Sequence, residues 1–440
     1  MVGKGLFEDL PEMKAPEAGG VEGRPRLREP VRDQIELRAV DIDSLIGADH
    51  PARVIWSYVE RLDLGELEDR IKARDSTPGQ PAISPRLLLA LWLYATSDGV
   101  GSARALSRLI ECHDAYRWLA GGISVNYHTL SDFRVGHGEL LDRLLRENIA
   151  VLSANGVIDV SELAQDGIRV RASAGAASFR RGERLEQHLA AASELVERLK
   201  REVDENSDAS NQRMRAAKER AAREREERIK AALNTLEEVE AQREERRKKR
   251  GKAAEKDKEP RASTTDPQAR VMKMADGGFR PAWNVQVVSA AGEQIVIDID
   301  PLANGSDRGL LRPAIEAARK RLGQLPRRHL ADGGFTAAHD IEWAHGEEIE
   351  IYCPPTQSKH GTDPYMPRRD DGPGVLAWRQ RMASAEGQTI YRQRSMCECI
   401  HARWRNWNLT RFNVRGIAKV KAVMLWFALA NNILQARQLA

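Results

Sequence analysis

From Arg180 to Gly278 the chain contains no Phe, Tyr or Trp, although strand-like sequence lies on both sides of that stretch. Whatever fold the flanks build must therefore accommodate a long insertion. Within it Leu185, Leu189, Ala192, Val196, Leu199 and Val203 recur at alternating spacings of four and three, the seam of a helix that packs on a helical partner. The pattern breaks at Glu205–Asn211 and a second helical run follows, with Ile229, Ala232, Leu233, Leu236 and Val239. Residues 180–262 therefore read as an antiparallel helical hairpin. A short connection pairs neighbouring helices, so the seam is expected to close within one chain and leave the free protein monomeric; an intermolecular seam is the alternative. Between Asn211 and Pro260, 17 Lys/Arg face 12 Asp/Glu, the composition of a solvated helix surface. The exception is the like-charge block Arg246, Arg247, Lys248, Lys249 and Arg250, which suits either contact with a phosphate backbone or a solvated basic tip.

The remainder of the 440 residues divides around this insertion. Residues 1–37 are rich in Gly, Pro and charge without a sustained period and are expected to be mostly disordered. Residues 38–156 read as an all-α domain. Ser84-Pro85 starts a helix that is apolar on nearly every side (Leu87–Tyr94), Ser102 opens another, and Asn155-Gly156 ends a long one. Tyr127 to Arg134 opens a helix that suits either DNA contact or a bundle interface. The net charge is only +4, so any nucleic-acid argument must come from local clustering. The four cysteines have no zinc-ligand spacing and no secretory segment is evident, which fits a reduced cytoplasmic compartment. The longest apolar runs, Leu87–Ala95 and Ala422–Ala430, are too short for a bilayer, and no membrane is expected.

From Val157 the pattern turns to short β-branched runs. Val157–Val160 and Leu163–Val170 form a strand or strand pair with Asp166 inside it. Ala282–Ser289 and Gln294–Asp300 form a hairpin, Arg328–Ala331 is a short strand ending at Asp332-Gly333-Gly334, and Ile349–Tyr352 is another. A carboxylate within an apolar strand is costly unless it serves a partner such as a metal. If the strands bearing Asp166 and Asp332 are adjacent and parallel, both carboxylates reach one edge, where ligand sites gather. After the last strand, Tyr391, Arg394 and Glu398 are spaced by three and four, one face of a helix, with Arg405 two turns further on. Three converging carboxylates repel one another and are stable only with cations; hard oxygen ligands select Mg²⁺ or Mn²⁺. Two ions ~4 Å apart would activate a water or 3′-hydroxyl and stabilise the leaving oxygen at phosphorus.

These residues resemble the DDE transposases of bacterial insertion sequences, in the group with the signature Tyr-x2-Arg-x3-Glu-x6-Lys. Tyr391, Arg394 and Glu398 match it, with Arg405 where lysine is usual; Asp332 matches the second aspartate in Ala-Asp-Gly-Gly-Phe, and Asp166 the first in Gln-Asp-Gly-Ile-Arg-Val-Arg-Ala. The resemblance covers roughly residues 40–440 and also takes in Asp266 to Lys273 and Gly277 to Pro281. It implies an RNase H-like mixed five-stranded sheet with flanking helices over residues 157–440, preceded by the all-α DNA-binding domain and interrupted by the charged hairpin. It also implies Asp166, Asp332 and Glu398 as catalytic metal ligands, and Tyr391, Arg394 and Arg405 on DNA phosphates near the cut. The expected partners are double-stranded DNA (terminal inverted repeats and target) and a second copy of the chain on that DNA, associated with a bacterial nucleoid. Two other readings stay open: a metal-dependent nuclease of the same fold without strand transfer, and a catalytically inactive DNA-binding descendant.

Overall fold

The computed structural model describes residues 39, 41–74, 80–205, 209–250, 259–356 and 363–439; the side chains of 202–205, 209–213, 246, 247, 249 and 250 are not among those described. The expectation of a disordered segment over 1–37 lies outside the described residues. Ile42–Ala440 forms one compact unit. Its first part is helical: α1 (Pro51–Glu60), α2 (Gly65–Asp69), α3 (Pro85–Ser97), α4 (Ala103–Cys112), α5 (Asp114–Ala120), α6 (Tyr127–Gly136) and α7 (Gly138–Ala154). Local chemistry sets most of these starts. The His50 ring accepts the Ala52 N–H ahead of Pro51, Ser102 Oγ accepts the Ala105 N–H, and Asn126 Oδ1 accepts the His128 N–H. Ser84 holds the N-cap position of α3 but makes no side-chain cap, so Pro85 alone marks that start. From Leu87 to Thr96 every α3 residue is buried, as its all-round apolar sequence requires.

The sheet is built on β1 (Glu162–Arg171). Two short strands, β2 (Phe179–Arg180) and β3 (Ala262–Ser263), pair antiparallel and clamp the two roots of the insertion. Between them run α8 (Gly182–Glu205) and α9 (Ala209–Arg250). Leu185, Ala192 and Val196 of α8 are buried with Ile229, Ala232 and Leu236 of α9, so the seam closes within the chain. The remaining strands are β4 (Arg270–Lys273), β5 (Phe279–Ala290), β6 (Val296–Leu302), β7 (Arg328–Ala331) and β8 (Glu350–Tyr352). β1 lies between antiparallel β5 and parallel β7, and β8 continues the parallel side. β4 and β6 pair with successive parts of the far edge of β5, giving five strand positions in a mixed sheet, the RNase H-like arrangement. Residues 157–160 stay outside the sheet: the Asp159 carboxylate accepts the Ser161 N–H, and that turn delays β1 to Glu162. β4 and the clamp β2–β3 are strands that periodicity did not reveal, each too short for alternation to register.

Helices α10 (Leu311–Leu322), α11 (Ala338–Gly346), α12 (Pro373–Ala383), α13 (Ala385–Tyr391), α14 (Ser395–Asn406) and α15 (Ile417–Leu439) cover the sheet and complete the core. Sequence spacing suggests that α15 is amphipathic; it is instead apolar all round, because it is buried on nearly every side between α1, α3, α6, α7 and β6. By length and composition α15 would suffice to cross a membrane, but here it is the central helix of the helical part. Asn432 reads the edge of β6, accepting the Val296 N–H at 2.7 Å and donating to the Val296 carbonyl at 2.8 Å. A second tie is Arg321 of α10, only 8% exposed, whose guanidinium bridges Asp142 of α7 (2.7 Å) and Asp298 of β6 (2.8 Å).

Candidate active site

The register of β1 against β7 builds the first half of the site. The parallel pairs run from Glu162↔Arg328 to Gln165↔Ala331, so the next residue on each strand is Asp166 and Asp332. β7 stops there because Asp332 turns the chain: its Oδ1 accepts the Gly334 N–H at 2.7 Å and caps the short 3₁₀ helix Gly333–Phe335. A Cβ on Gly334 would lie 2.9 Å from that same oxygen, so a larger residue there would push the Asp332 carboxylate aside. The Asp332 carbonyl is held in turn by the Cys353 thiol at 2.8 Å.

Asp166 is 16% exposed. Its Oδ1 accepts the Gly167 N–H at 2.8 Å, and its Oδ2 lies 3.5 Å from both Arg394 and His401 Nδ1. Burial pushes the Asp166 carboxyl up to about 6; the Gly167 N–H and Arg394 oppose that rise, and the charges of Asp332 and Glu398 add to it. Gly167 is bare for a reason on the opposite face. A Cβ there would come within 3.0 Å of Gln286, Asn284 and Asp307. Those side chains belong to a buried polar chain: His329 contacts Gln165 (3.0 Å), Gln165 donates to Gln286 (2.9 Å), and Gln286 and Asn284 both donate to Asp307 (2.9 and 2.7 Å). The network fixes β1 from behind, directly beneath Asp166.

The second half of the site comes from α14. Tyr391, Arg394 and Glu398 were expected on one helix. The chain instead ends α13 at Tyr391, tightens into a 3₁₀ turn over Arg392–Arg394, and resumes as α14 at Ser395. All these residues keep right-handed helical backbone, so the shared face survives. The Arg394 guanidinium sits 5.9 Å from the centroid of the Tyr391 ring and donates to Glu398 Oε1 at 2.7 Å. Arg394 therefore links Glu398 to Asp166, with its own side chain 15% exposed and that of Glu398 62% exposed. Among the described residues no three His, Cys, Asp or Glu side chains are arranged to hold a metal ion. Arg394 lies between Asp166 and Glu398, and Glu398 is turned toward it. The donor set is all carboxylate oxygen, which fits a hard divalent cation.

Sequence reasoning missed His401. It lies one turn beyond Glu398, is buried against Asp166, and its Nε2 has no hydrogen-bond partner among the described residues. Burial, with the charges of Arg405 and Arg394, pulls its pKa down to about 4, so it faces Asp166 as a neutral ring. Its spacing of three from Glu398 was the available signal. Arg405 is exposed in the last turn of α14, outside the carboxylate group. The inner face of the helix is anchored by Cys397, in contact with Ser289 at 3.1 Å, and by Arg403, which donates to Asn431 and Gln435 at 2.6 Å. Of the basic block on α9 only the Lys248 side chain is described, and it is exposed; Arg246, Arg247, Lys249 and Arg250 lie outside the described side chains. On α6, Leu130 and Phe133 serve the bundle core while His128, Thr129 and Asp132 are exposed.

Comparison with known families matches two models. A transposase domain of the DUF772 type covers residues 40–135, and a transposase DDE domain covers residues 253–433, a span that contains Asp332 and Glu398 and begins after Asp166. No curated protein and no solved structure matches the chain. A helical transposase domain followed by a DDE domain, on a sheet whose register sets Asp166 beside Asp332, identifies the chain as a member of the DDE transposases of insertion sequences.

Proposed function

We propose that this transposase cuts DNA at the ends of its element and joins them to a target, using Asp166, Asp332 and Glu398 to hold two divalent cations. The observation that carries this reading is the β1–β7 register, which leaves Asp166 and Asp332 as neighbours at the point where both strands have finished pairing. Mg²⁺ or Mn²⁺ held by these carboxylates would lower the pKa of a water or 3′-hydroxyl and offset charge on the leaving oxygen. The chain's own part is positioning. Gly167 and Gly334 N–H groups fix the two aspartates, and His401 and Arg394 fix the direction of Asp166. Tyr391, Arg394 and Arg405 border the site as an aromatic and two cations, a set suited to a phosphodiester backbone. The helical part would recognise the element ends, with the basic end of α9 adding sequence-independent affinity. Joining two ends requires two such sites, so the working assembly is a dimer on DNA, while the intrachain seam of α8 and α9 supports a monomer off it.

The test is a gel assay with duplex carrying the element end and Mg²⁺. Wild-type protein should yield cut and joined products. Asp332→Ala should lose cleavage by several orders of magnitude and retain end binding. Cleavage that persists in Asp332→Ala removes the assignment; cutting with no joined product under any condition favours the nuclease.

A further inference from the structure

The two roots of the insertion carry more positive charge than the clamp itself uses. In the clamp Phe179 pairs with Ser263 and Arg180 with Ala262, so the next residue on each strand is Arg181 and Arg261. Like charges facing each other across a strand pair repel. Arg184, in the first turn of α8, lines the same surface and adds a third guanidinium. The carboxylates there are Glu183 and Glu259, and Glu259 is engaged with Arg181 at 3.1 Å. Arg184 and Arg261 are exposed, and among the described residues neither makes an ion pair. From the clamp a groove of about 680 Å³ runs to the β4–β5 hairpin, lined by Arg181, Arg243, Arg261 and Arg270, with Val239 of α9 and Val271 of β4. Arg270 spends its guanidinium on the carbonyls of Pro267, Gln268 and Ala269, which leaves Arg261 as the groove's open cation.

The hairpin continues the groove with apolar surface. Val271 is 49% exposed and Phe279 70% exposed. Lys273 stands opposite Phe279 in the β4–β5 ladder, so Val271, Lys273 and Phe279 share one face, and Lys273 is exposed. That face is also the one that bears Asp166. Val287 stands opposite Asp166, and Phe279 is eight residues from it on β5, an even count that keeps both on one side of the sheet. Their separation is about 27 Å at ~3.4 Å per residue. Cations beside an exposed aromatic ring suit a polynucleotide, which sets phosphates next to apolar sugar and base surfaces. We propose that the groove between the insertion roots and the β4–β5 hairpin is a second DNA-binding surface, with Arg184 and Arg261 on backbone phosphates and Phe279 against a sugar or base. The proposal rests on the DNA-cutting reading above and gives the insertion a contact at its root, in addition to the one proposed for the end of α9.

The test uses the full chain, duplex DNA carrying the element end, and a salt series. Arg184→Gln with Arg261→Gln changes two exposed side chains, and thermal melting should match wild type. The slope of log K against log salt should fall by about 1.8, two phosphate contacts at ~0.9 each, and Arg184→Lys with Arg261→Lys should keep it. Phe279→Ala should weaken binding on the order of tenfold at every salt concentration without changing the slope. Lys218→Gln with Arg225→Gln removes the same charge from exposed positions on α9 outside the groove and should leave the slope alone. Equal slope losses for the two double variants would show a general attraction to basic surface and overturn the groove. An unchanged slope in the Arg184 and Arg261 variant, with element ends still cut by wild type, overturns the groove and leaves the cutting reading standing. Wild-type protein with no salt-dependent duplex affinity overturns both.

Discussion

Asp166 concentrates the electrostatic tension of the site, and that tension has a measurable sign. Its carboxyl titrates at about 6 in the folded protein against an ordinary 3.8, chiefly because it is buried. Between those values the folded state binds more protons than the unfolded chain, so stability is lost as pH rises from about 4 to about 6 and stays lost above. A shift of that size corresponds to at most about 3 kcal/mol in metal-free protein. In chelator, the melting temperature should therefore fall across that window for wild type and stay flat for Asp166→Asn, which should be the more stable protein at neutral pH. Mg²⁺ should restore wild type and leave the variant unmoved. An Asp166→Asn protein no more stable than wild type at neutral pH would show that burial of the charge carries no cost. The three carboxylates were legible in the sequence because each departs from its surroundings: an acid inside a β-branched run, an acid before Gly-Gly, an acid four residues after an arginine. His401 was not, because a histidine among small and apolar neighbours looks like any core residue until the strand it faces is known.

Elements were legible in proportion to how many residues carry their period. The insertion was readable as a hairpin from its seam: Leu185, Ala192, Val196, Ile229, Ala232 and Leu236 are buried between the two helices, and Leu189 and Leu233 partly so. A consequence follows for local stability. Among the described residues, a thin stripe of Leu, Ala, Val and Ile and a hydrogen bond from Ser193 to Glu226 join α8 to α9, and the clamp β2–β3 ties its base. Ile229→Ala removes a fully buried branched side chain, a loss of about 2–4 kcal/mol where the site cannot collapse. Hydrogen exchange should then show the amides of α8 and α9 losing protection while those of β1 keep theirs, and light scattering should report the same mass as wild type. Lost protection throughout the sheet would mean that the hairpin is no separate unit of stability. The turn at Arg392–Arg394 was illegible for a different reason: a 3₁₀ turn keeps nearly the same side-chain face as an α-helix, so spacing cannot separate them.

At the scale of the molecule, the helical part and the sheet are not joined by a linker but share one core. α15 supplies its centre: Val420, Val423, Met424, Trp426 and Phe427 are all buried, each contributing on the order of 1.5–3 kcal/mol. The boundary of the first family match, at residue 135, is therefore not a folding boundary. Residues 42–156 expressed alone should bind hydrophobic dye and melt without cooperativity, and adding residues 417–439 as a peptide should restore a cooperative transition. A cooperative melt of the fragment by itself would show that α15 is an accessory. No sequence pattern could have revealed this packing, because an all-round apolar helix names no partner. The arrangement also sets a clock on the newborn chain. A ribosome making 5–20 residues per second needs on the order of 10–50 seconds to travel from the end of α7 to the start of α15. For that time the apolar surface of α3 waits without its partner, a state prone to aggregation. A message broken before α15 would leave α3 without the helix that covers it, and its product should be short-lived.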